Sequence, residues 1–224
     1  MKLPVLKIGN LVAEIPIVQG GMAIRLSTAR LAAAVASEGG IGLIAASGMK
    51  FDELRKEIRL ARELTGGKGI IGINAMVAAR EFLGLITTAA EEKVDLIVAG
   101  AGFSRDMFAV GREYGVAIVP IVSSVKLAKI AEQLGASAIV AEGTEAGGHL
   151  GTQQSIKEIL PEIVKAVKIP VIAAGGAVTG QDVAELLKLG ASGVQMGSRF
   201  AASEESNGAD ELKQFYLKMT KDDV

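Results

Sequence analysis

Residues 117–141 hold one complete unit of this chain's architecture. An apolar run, Ala117-Ile118-Val119-Pro120-Ile121, is followed by Val125, Ala128, Ala131 and Leu134 at helical spacing, then by Gly135, then by a second run, Ala138-Ile139-Val140-Ala141. A short continuous apolar run bounded by turn residues reads as a strand buried on both faces. Apolar residues every three or four positions read as an amphipathic helix. Glycine stops such a helix because it accepts the left-handed conformation there. Strand, helix, strand is the signature of a parallel sheet.

The same unit recurs along the chain. Runs rich in Ile, Val and Ala occur at Ile15–Gln19, Ile41–Ala45, Ile70–Asn74, Leu96–Ala99, Ala117–Ile121, Ala138–Ala141, Val171–Ala174 and Gly193–Met196, with starts about 20 to 33 residues apart. Between two of them Leu54, Ile58, Ala61 and Leu64 mark one helical face, with Glu53, Lys56, Arg59 and Glu63 elsewhere. Helix stops are expected at Gly39-Gly40, Gly115, Gly135 and Gly190. Eight strands of this kind predict an α/β fold, a TIM (β/α)8 barrel, formed by residues 1–224 as one domain. The alternative is a doubly wound open sheet. The Gly100-Ala101-Gly102 turn weakly resembles a dinucleotide fingerprint, but Arg105 stands where its third glycine is required, which counts against that reading. Residues from about Gly208 to Val224 are charged and are expected to be helical.

Composition narrows the function. Half of the 224 residues are hydrophobic and only 4% are aromatic, so the core is aliphatic. A net charge of −1 argues against nucleic acid and anionic membrane as main partners. With no cysteine there is no disulfide framework and no thiolate chemistry. The longest charge-free stretch, Ile169 to Gln181, falls short of the roughly 18 apolar residues of a membrane helix, and the amino terminus lacks the layout of a signal peptide. A soluble, cytoplasmic protein acting on a small molecule is the expectation, and a homodimer is compatible with it. No metal site is expected.

In a barrel of this type the chemistry sits at the carboxyl-terminal ends of the strands. Here those ends carry little side chain: Gln19-Gly20-Gly21-Met22, Ala46-Ser47-Gly48, Gly100-Ala101-Gly102, Ala174-Gly175-Gly176-Ala177 and Gly197-Ser198-Arg199. Tight turns account for some of these glycines. Glycine at most of the ends indicates backbone approaching something large and flat. The loops after strands seven and eight are the recurrent phosphate site of the fold, so Gly175, Gly176, Gly197 and Ser198 are expected to bind phosphate. A phosphorylated flat cofactor fits both features, and flavin mononucleotide (FMN) is the natural candidate. Gly21 and Met22 would lie along its ring. The Asn74 amide, both donor and acceptor, would meet the ring's polar edge; the competing roles are a strand-end cap for Asn74 and plain packing for Met22.

Four stretches carry a family resemblance: Pro16-Ile17-Val18-Gln19-Gly20-Gly21-Met22-Ala23; Glu142-Gly143-Thr144-Glu145-Ala146-Gly147-Gly148-His149-Leu150-Gly151; Ile169-Pro170-Val171-Ile172-Ala173-Ala174-Gly175-Gly176; and Gly193-Val194-Gln195-Met196-Gly197-Ser198-Arg199-Phe200. In order and spacing, from about residue 3 to 220, the chain resembles the nitronate monooxygenase family, formerly 2-nitropropane dioxygenase, which includes the flavin-type enoyl-acyl-carrier-protein reductases. The resemblance implies non-covalent FMN, with Gly21, Met22, Ala23 and Asn74 at the flavin and Ala174, Gly175, Gly176, Gly197 and Ser198 at its phosphate. It makes His149 the catalytic residue. It implies oxidation of alkyl nitronates with dioxygen or, alternatively, reduction of an enoyl thioester with NAD(P)H. The chain departs from the family at Ser198, usually threonine, and at Ile24-Arg25-Leu26, where many relatives carry small residues. Relatives also continue for on the order of a hundred residues past this end, a lobe that helps to cover the site.

His149 is the chain's only histidine. An imidazole with a pKa near ~6.5 both takes and gives protons at working pH. It would orient the nitro oxygens or take the α-proton of a nitroalkane; in the enoyl scheme it would polarise the thioester carbonyl or supply a proton. Glu142 and Glu145 either orient this imidazole or serve as helix-start and solvated loop residues. Two readings from other classes stand beside these: a flavin-free phosphate-binding barrel isomerase or lyase, and a truncated, non-catalytic barrel. The lack of a strand-end lysine counts against a Schiff-base aldolase.

Overall fold

The computed structural model describes residues 3–147 and 151–219. Two short strands open it, β1 (Leu6–Ile8) and β2 (Leu11–Ala13), paired antiparallel with Leu6 opposite Ala13 and Ile8 opposite Leu11. The eight-strand reading has no place for this hairpin. Its sequence signal is the Gly9-Asn10 turn between two apolar alternations, with Gly9 at φ +56°.

Eight parallel strands then close into a barrel: β3 (Ile17–Gln19), β4 (Ile41–Ala45), β5 (Ile70–Met76), β6 (Leu96–Gly100), β7 (Ala117–Val122), β8 (Ile139–Glu142), β9 (Val171–Ala174) and β10 (Gly193–Met196). Closure comes from β10, which pairs with both β9 and β3. The connecting helices are α1 (Ala29–Ser37), α2 (Phe51–Leu64), α3 (Phe82–Glu91), α4 (Arg105–Tyr114), α5 (Val125–Leu134), α6 (Ile156–Ala166) and α7 (Gly180–Lys188). Short α8 (Ser198–Ala201) and α9 (Asp210–Lys218) follow the last strand. The expected strands agree with the observed ones to within two residues. Gly115 and Gly135 end α4 and α5 in the left-handed conformation expected of them. Helix α9 lies within the charged final segment and has no buried residue.

Alternation along the strands separates two cores. Ile97, Ile139 and Ile73 face the helices in one cluster, whereas Val18, Leu43, Leu96, Val98, Val119, Val140 and Ile172 pack inside the barrel. The hairpin contributes Leu6, Ile8 and Ala13 to the inner cluster. Leu6 reaches the start of β10, where a β-carbon on Gly193 would stand 2.9 Å from Leu6 Cδ2. The hairpin thus plugs the amino-terminal end of the barrel. Each of its buried leucine or isoleucine side chains is worth roughly 1.5–3 kcal/mol. No helix among the described residues is long and apolar enough to cross a membrane.

Candidate functional site

At the other end the inner wall changes character. Two residues beyond Val140 and Ile172, alternation turns Glu142 and Ala174 inward, and on β10 it turns Gln195 inward. Strand register places Glu142 beside Ala174 and Ala174 beside Gln195. Two polar side chains therefore flank an alanine on three neighbouring strands, with the outer backbones about 10 Å apart at the usual strand spacing of ~4.8 Å. Across the mouth Asn74 points inward from β5, level with Val98. Because β5 runs on to Met76, Asn74 is a wall residue and not a strand-end cap.

Glycine lets the first loop lie against this wall. A β-carbon on Gly21 would stand 2.3 Å from Asn74 Cβ and 3.0 Å from its Cγ. The loop is braced from beneath by Gln19, which is fully buried. Gln19 Oε1 accepts from Leu43 N at 3.0 Å, and Nε2 donates to Ser27 Oγ at 3.0 Å and to the Gly20 carbonyl. Ser27 Oγ in turn accepts the Met22 N–H at 3.0 Å. The loop's outer edge is tied down by Arg25, whose guanidinium donates twice to Glu53, at 2.7 and 2.9 Å. This bond holds the Glu53 carboxylate below its usual range. Ala23 and Ile24 are exposed beside it, Ile24 at 69%.

The expected phosphate loops are neighbours, since β9 and β10 pair directly. Gly175 and Gly176 take φ of +121° and +68°, conformations that favour glycine. Among the described residues, no hydrogen bond outside the strand ladder takes up the Gly176 or Ser198 N–H. Backbone donors left free in a glycine turn form a concavity suited to an anion. The Gly197 carbonyl accepts from Phe200 N and Ala201 N and so turns the chain into α8. Met22 Sδ lies 3.9 Å from where a Gly197 β-carbon would be, which brings the first and last loops together.

The two carboxylates of the β8 loop have different fates. Glu145 accepts from Ser155 Oγ and, at 2.9 Å, from Ile156 N at the start of α6. Burial pushes its carboxyl upward, but these hydrogen bonds and nearby Lys157 outweigh it and hold the group below its usual value. Glu145 is the helix-start residue of the two. Glu142 is half-buried, receives no hydrogen bond from a described residue, and is pushed up to about 7 by burial. His149 lies outside the described residues.

Asn74, Gly21, Met22, Ala174, Gly175, Gly176, Gly197 and Ser198 thus gather around one mouth, with Ala23 at its rim. The sequence reading did not include Gln19, Ser27 or Gln195 as site residues. Gln195 Oε1 is buried without a partner among the described residues. A buried acceptor left unpaired costs roughly 1–3 kcal/mol. Two cavities lie elsewhere, about 340 Å³ beside the hairpin turn and Arg112 and about 320 Å³ beside Arg80 and Ser104. No group of three or more His, Cys, Asp or Glu among the described residues could hold a metal ion.

Comparison with known proteins adds the relatives. The family model described as nitronate monooxygenase matches residues 6–83 and 68–224. The chain is 34% identical over 202 residues to a (3aS,4S,5R,7aS)-5-hydroxy-7a-methyl-1-oxo-octahydro-1H-indene-4-carboxyl-CoA dehydrogenase from Rhodococcus jostii, covering 90% of this chain and 56% of that one. It is 30% identical over 256 aligned positions to a probable nitronate monooxygenase from Staphylococcus aureus, covering 94% and 71%. FabK from Thermotoga maritima superimposes with a TM-score of 0.87 at 39% identity, covering 92% of this chain and 65% of that one. A nitroalkane oxidase from Streptomyces ansochromogenes superimposes with 0.82 at 28%, covering 89% and 70%. The chain spans little more than half the length of the two dehydrogenases it matches, 56% and 58%.

Proposed function

The chain belongs to the nitronate monooxygenase family, and from that premise we propose that it is an FMN-dependent oxidoreductase that oxidises alkyl nitronates with dioxygen. The observation that carries the flavin reading is the mouth itself: Gly21 laid against Asn74, Gln195 turned inward on β10, and a glycine turn whose Gly176 N–H, with that of Ser198, is taken up by no other described residue. Gly175, Gly176, Gly197 and Ser198 hold the phosphate, Gly21 and Met22 line the ring, and Asn74 and Gln195 meet its polar edge. The flavin, when bound, supplies the electron chemistry, and the protein supplies position and electrostatics. His149 holds the substrate's nitro oxygens or takes the α-proton of the neutral nitroalkane. The inner wall beneath, closed by the hairpin, keeps water from approaching from below.

A second reading, reduction of an enoyl thioester with NAD(P)H, is favoured by the relatives named as acting on a carboxyl-CoA compound. There His149 polarises the thioester carbonyl or supplies a proton. One experiment tests the flavin and another chooses between substrates. Purified protein is expected to be yellow, with flavin bands released on denaturation; a colourless preparation that takes up no added FMN refutes the oxidoreductase reading. Nitronate-dependent oxygen uptake then supports the first substrate, and enoyl-thioester-dependent NADH oxidation the second.

A further inference from the structure

Glu142 is an ionisable group on the wall of the mouth with no described residue to bond to. Among the described residues its surroundings are neutral. β7 brings Ile121 and Val122, followed by Ser123 and Ser124; β9 brings Ala174, Gly175 and Gly176; α6 brings Ile156, whose N would stand 2.3 Å from a β-carbon on Gly143. The charged groups of the β8 loop and of the first turn of α6 are engaged elsewhere. Glu145 is held by Ser155 and Ile156, Lys157 pairs with Glu185 at 3.0 Å, and Glu158 accepts from Ser155 N. His149, on the same loop, lies outside the described residues and is controlled for below. An unpaired carboxylate in such a place is costly, whereas a neutral carboxyl is cheaper and becomes a donor. Burial has moved the group in that direction, to about 7. Two strands away, Gln195 puts a second polar side chain on the same wall.

Building on the flavin reading above, we propose that Glu142 holds the cofactor as a neutral carboxylic acid, donating its proton to an acceptor on the ring's polar edge, so that cofactor affinity is linked to one proton. A bound ring excludes more water and accepts a hydrogen bond from the carboxyl, so Glu142 keeps its proton to higher pH in the complex than in the free protein. Affinity is then level below the free protein's value and falls as pH rises above it, by up to about tenfold per pH unit for one proton.

The test is a titration of flavin-free protein with FMN, followed by quenching of flavin fluorescence, at intervals from pH 6 to pH 9. For the unaltered chain Kd is expected to rise by at least about fivefold between pH 7 and 8.5. Glu142→Gln, neutral at every pH, binds about as tightly as the unaltered chain at pH 6 and shows no slope. Glu142→Leu, with neither proton nor charge, binds weakly throughout, also without slope. His149→Gln keeps the slope. A level profile in the unaltered chain, a slope that survives Glu142→Gln, or one abolished by His149→Gln overturns the proposal. FMN binding with a level profile leaves the flavin reading standing and refutes only the role of Glu142; no FMN binding at any pH refutes both.

Discussion

Gly21→Ala is the sharpest perturbation of the proposed ring site, because the structure sets its size. The added β-carbon would stand 2.3 Å from Asn74 Cβ, against the 3.4 Å or more of ordinary contact, and the obstacle is the root of a side chain rather than its free end. Gly21 does not occupy the left-handed region, so space alone is at issue. Relief requires about 1 Å of movement by the loop or by β5, and overpacking on this scale costs roughly 1–3 kcal/mol. The loop has little freedom to give, being held by Gln19, Ser27 and the Arg25–Glu53 pair. Urea denaturation of the flavin-free protein, followed by circular dichroism, should show that loss. FMN affinity should fall about tenfold or more, since ~1.4 kcal/mol of misplacement suffices. Asn74→Gly removes the obstacle at about 1 kcal/mol for glycine in a strand. The double variant should therefore be more stable than the sum of the single losses by roughly 0.5–3 kcal/mol. A Gly21→Ala protein within about 0.5 kcal/mol of the parent and binding FMN equally well would refute close packing of this loop on Asn74.

Four further outcomes are expected. Gln19→Leu strands the Leu43 N–H and frees the first loop, and should lower stability in urea by about 2–3 kcal/mol. Glu142→Gln should raise the melting temperature at pH 8 but not at pH 4. The Glu142 carboxyl is raised in the folded state, so its contribution is complete below the unfolded value of 4.5 and is lost as pH rises towards about 7. The full shift would be worth ~3 kcal/mol, and solvent access reduces the expected difference to about 1 kcal/mol. Glu145→Gln should behave in the opposite sense, losing about 1 kcal/mol at pH 7 and converging with the parent as acid protonates the lowered carboxyl. His149→Ala should leave FMN bound while turnover drops by roughly 10²–10⁴-fold, and unchanged turnover would make the histidine structural.

The barrel was legible in the sequence because strands buried on both faces cannot hide: Ile41–Ala45 and Leu96–Gly100 are apolar throughout. Where the reading fell short, one polar residue or very short strands were responsible. Asn74 interrupts the apolar run, so β5 reads as ending there, although it continues to Met76. Three-residue strands give too little alternation to show the β1–β2 hairpin, and only its Gly-Asn turn betrays it. The glycine turns of the candidate site could be read because their residue type is their signal. Gln19 and Gln195 could not, because a glutamine at a strand end reveals neither the side it faces nor what it meets. The contrast between Glu142 and Glu145 is hidden in the sequence for the same reason. Only contact with Ser155 and Ile156, ten and eleven residues on, shows that Glu145 is occupied and leaves Glu142 as the carboxyl facing the mouth.

These contacts also join parts of the site that are far apart in sequence. Glu145 is fixed to the first turn of α6, and its backbone lies against the turn after β9. A β-carbon on Gly175 would stand 3.1 Å from Ala146 N and one on Gly176 3.4 Å from Glu145 Cβ. The loop that leads to His149 and the glycine turn proposed for phosphate therefore rest on each other, and the first is pinned to α6. On the opposite side the first loop rests on Asn74 and on Gln19, which is hydrogen-bonded to β4. The described parts of both halves are thus anchored to strands and helices of the barrel, which limits the ordering cost of binding. The inner wall itself runs from the hydrocarbon of Leu6 and Ile8 at the plugged end to Glu142, Asn74 and Gln195 at the open one. The cofactor proposed above, flat with one polar edge and an anionic tail, would meet that gradient only at the open end, with its edge on the polar wall and its tail at Gly176 and Ser198.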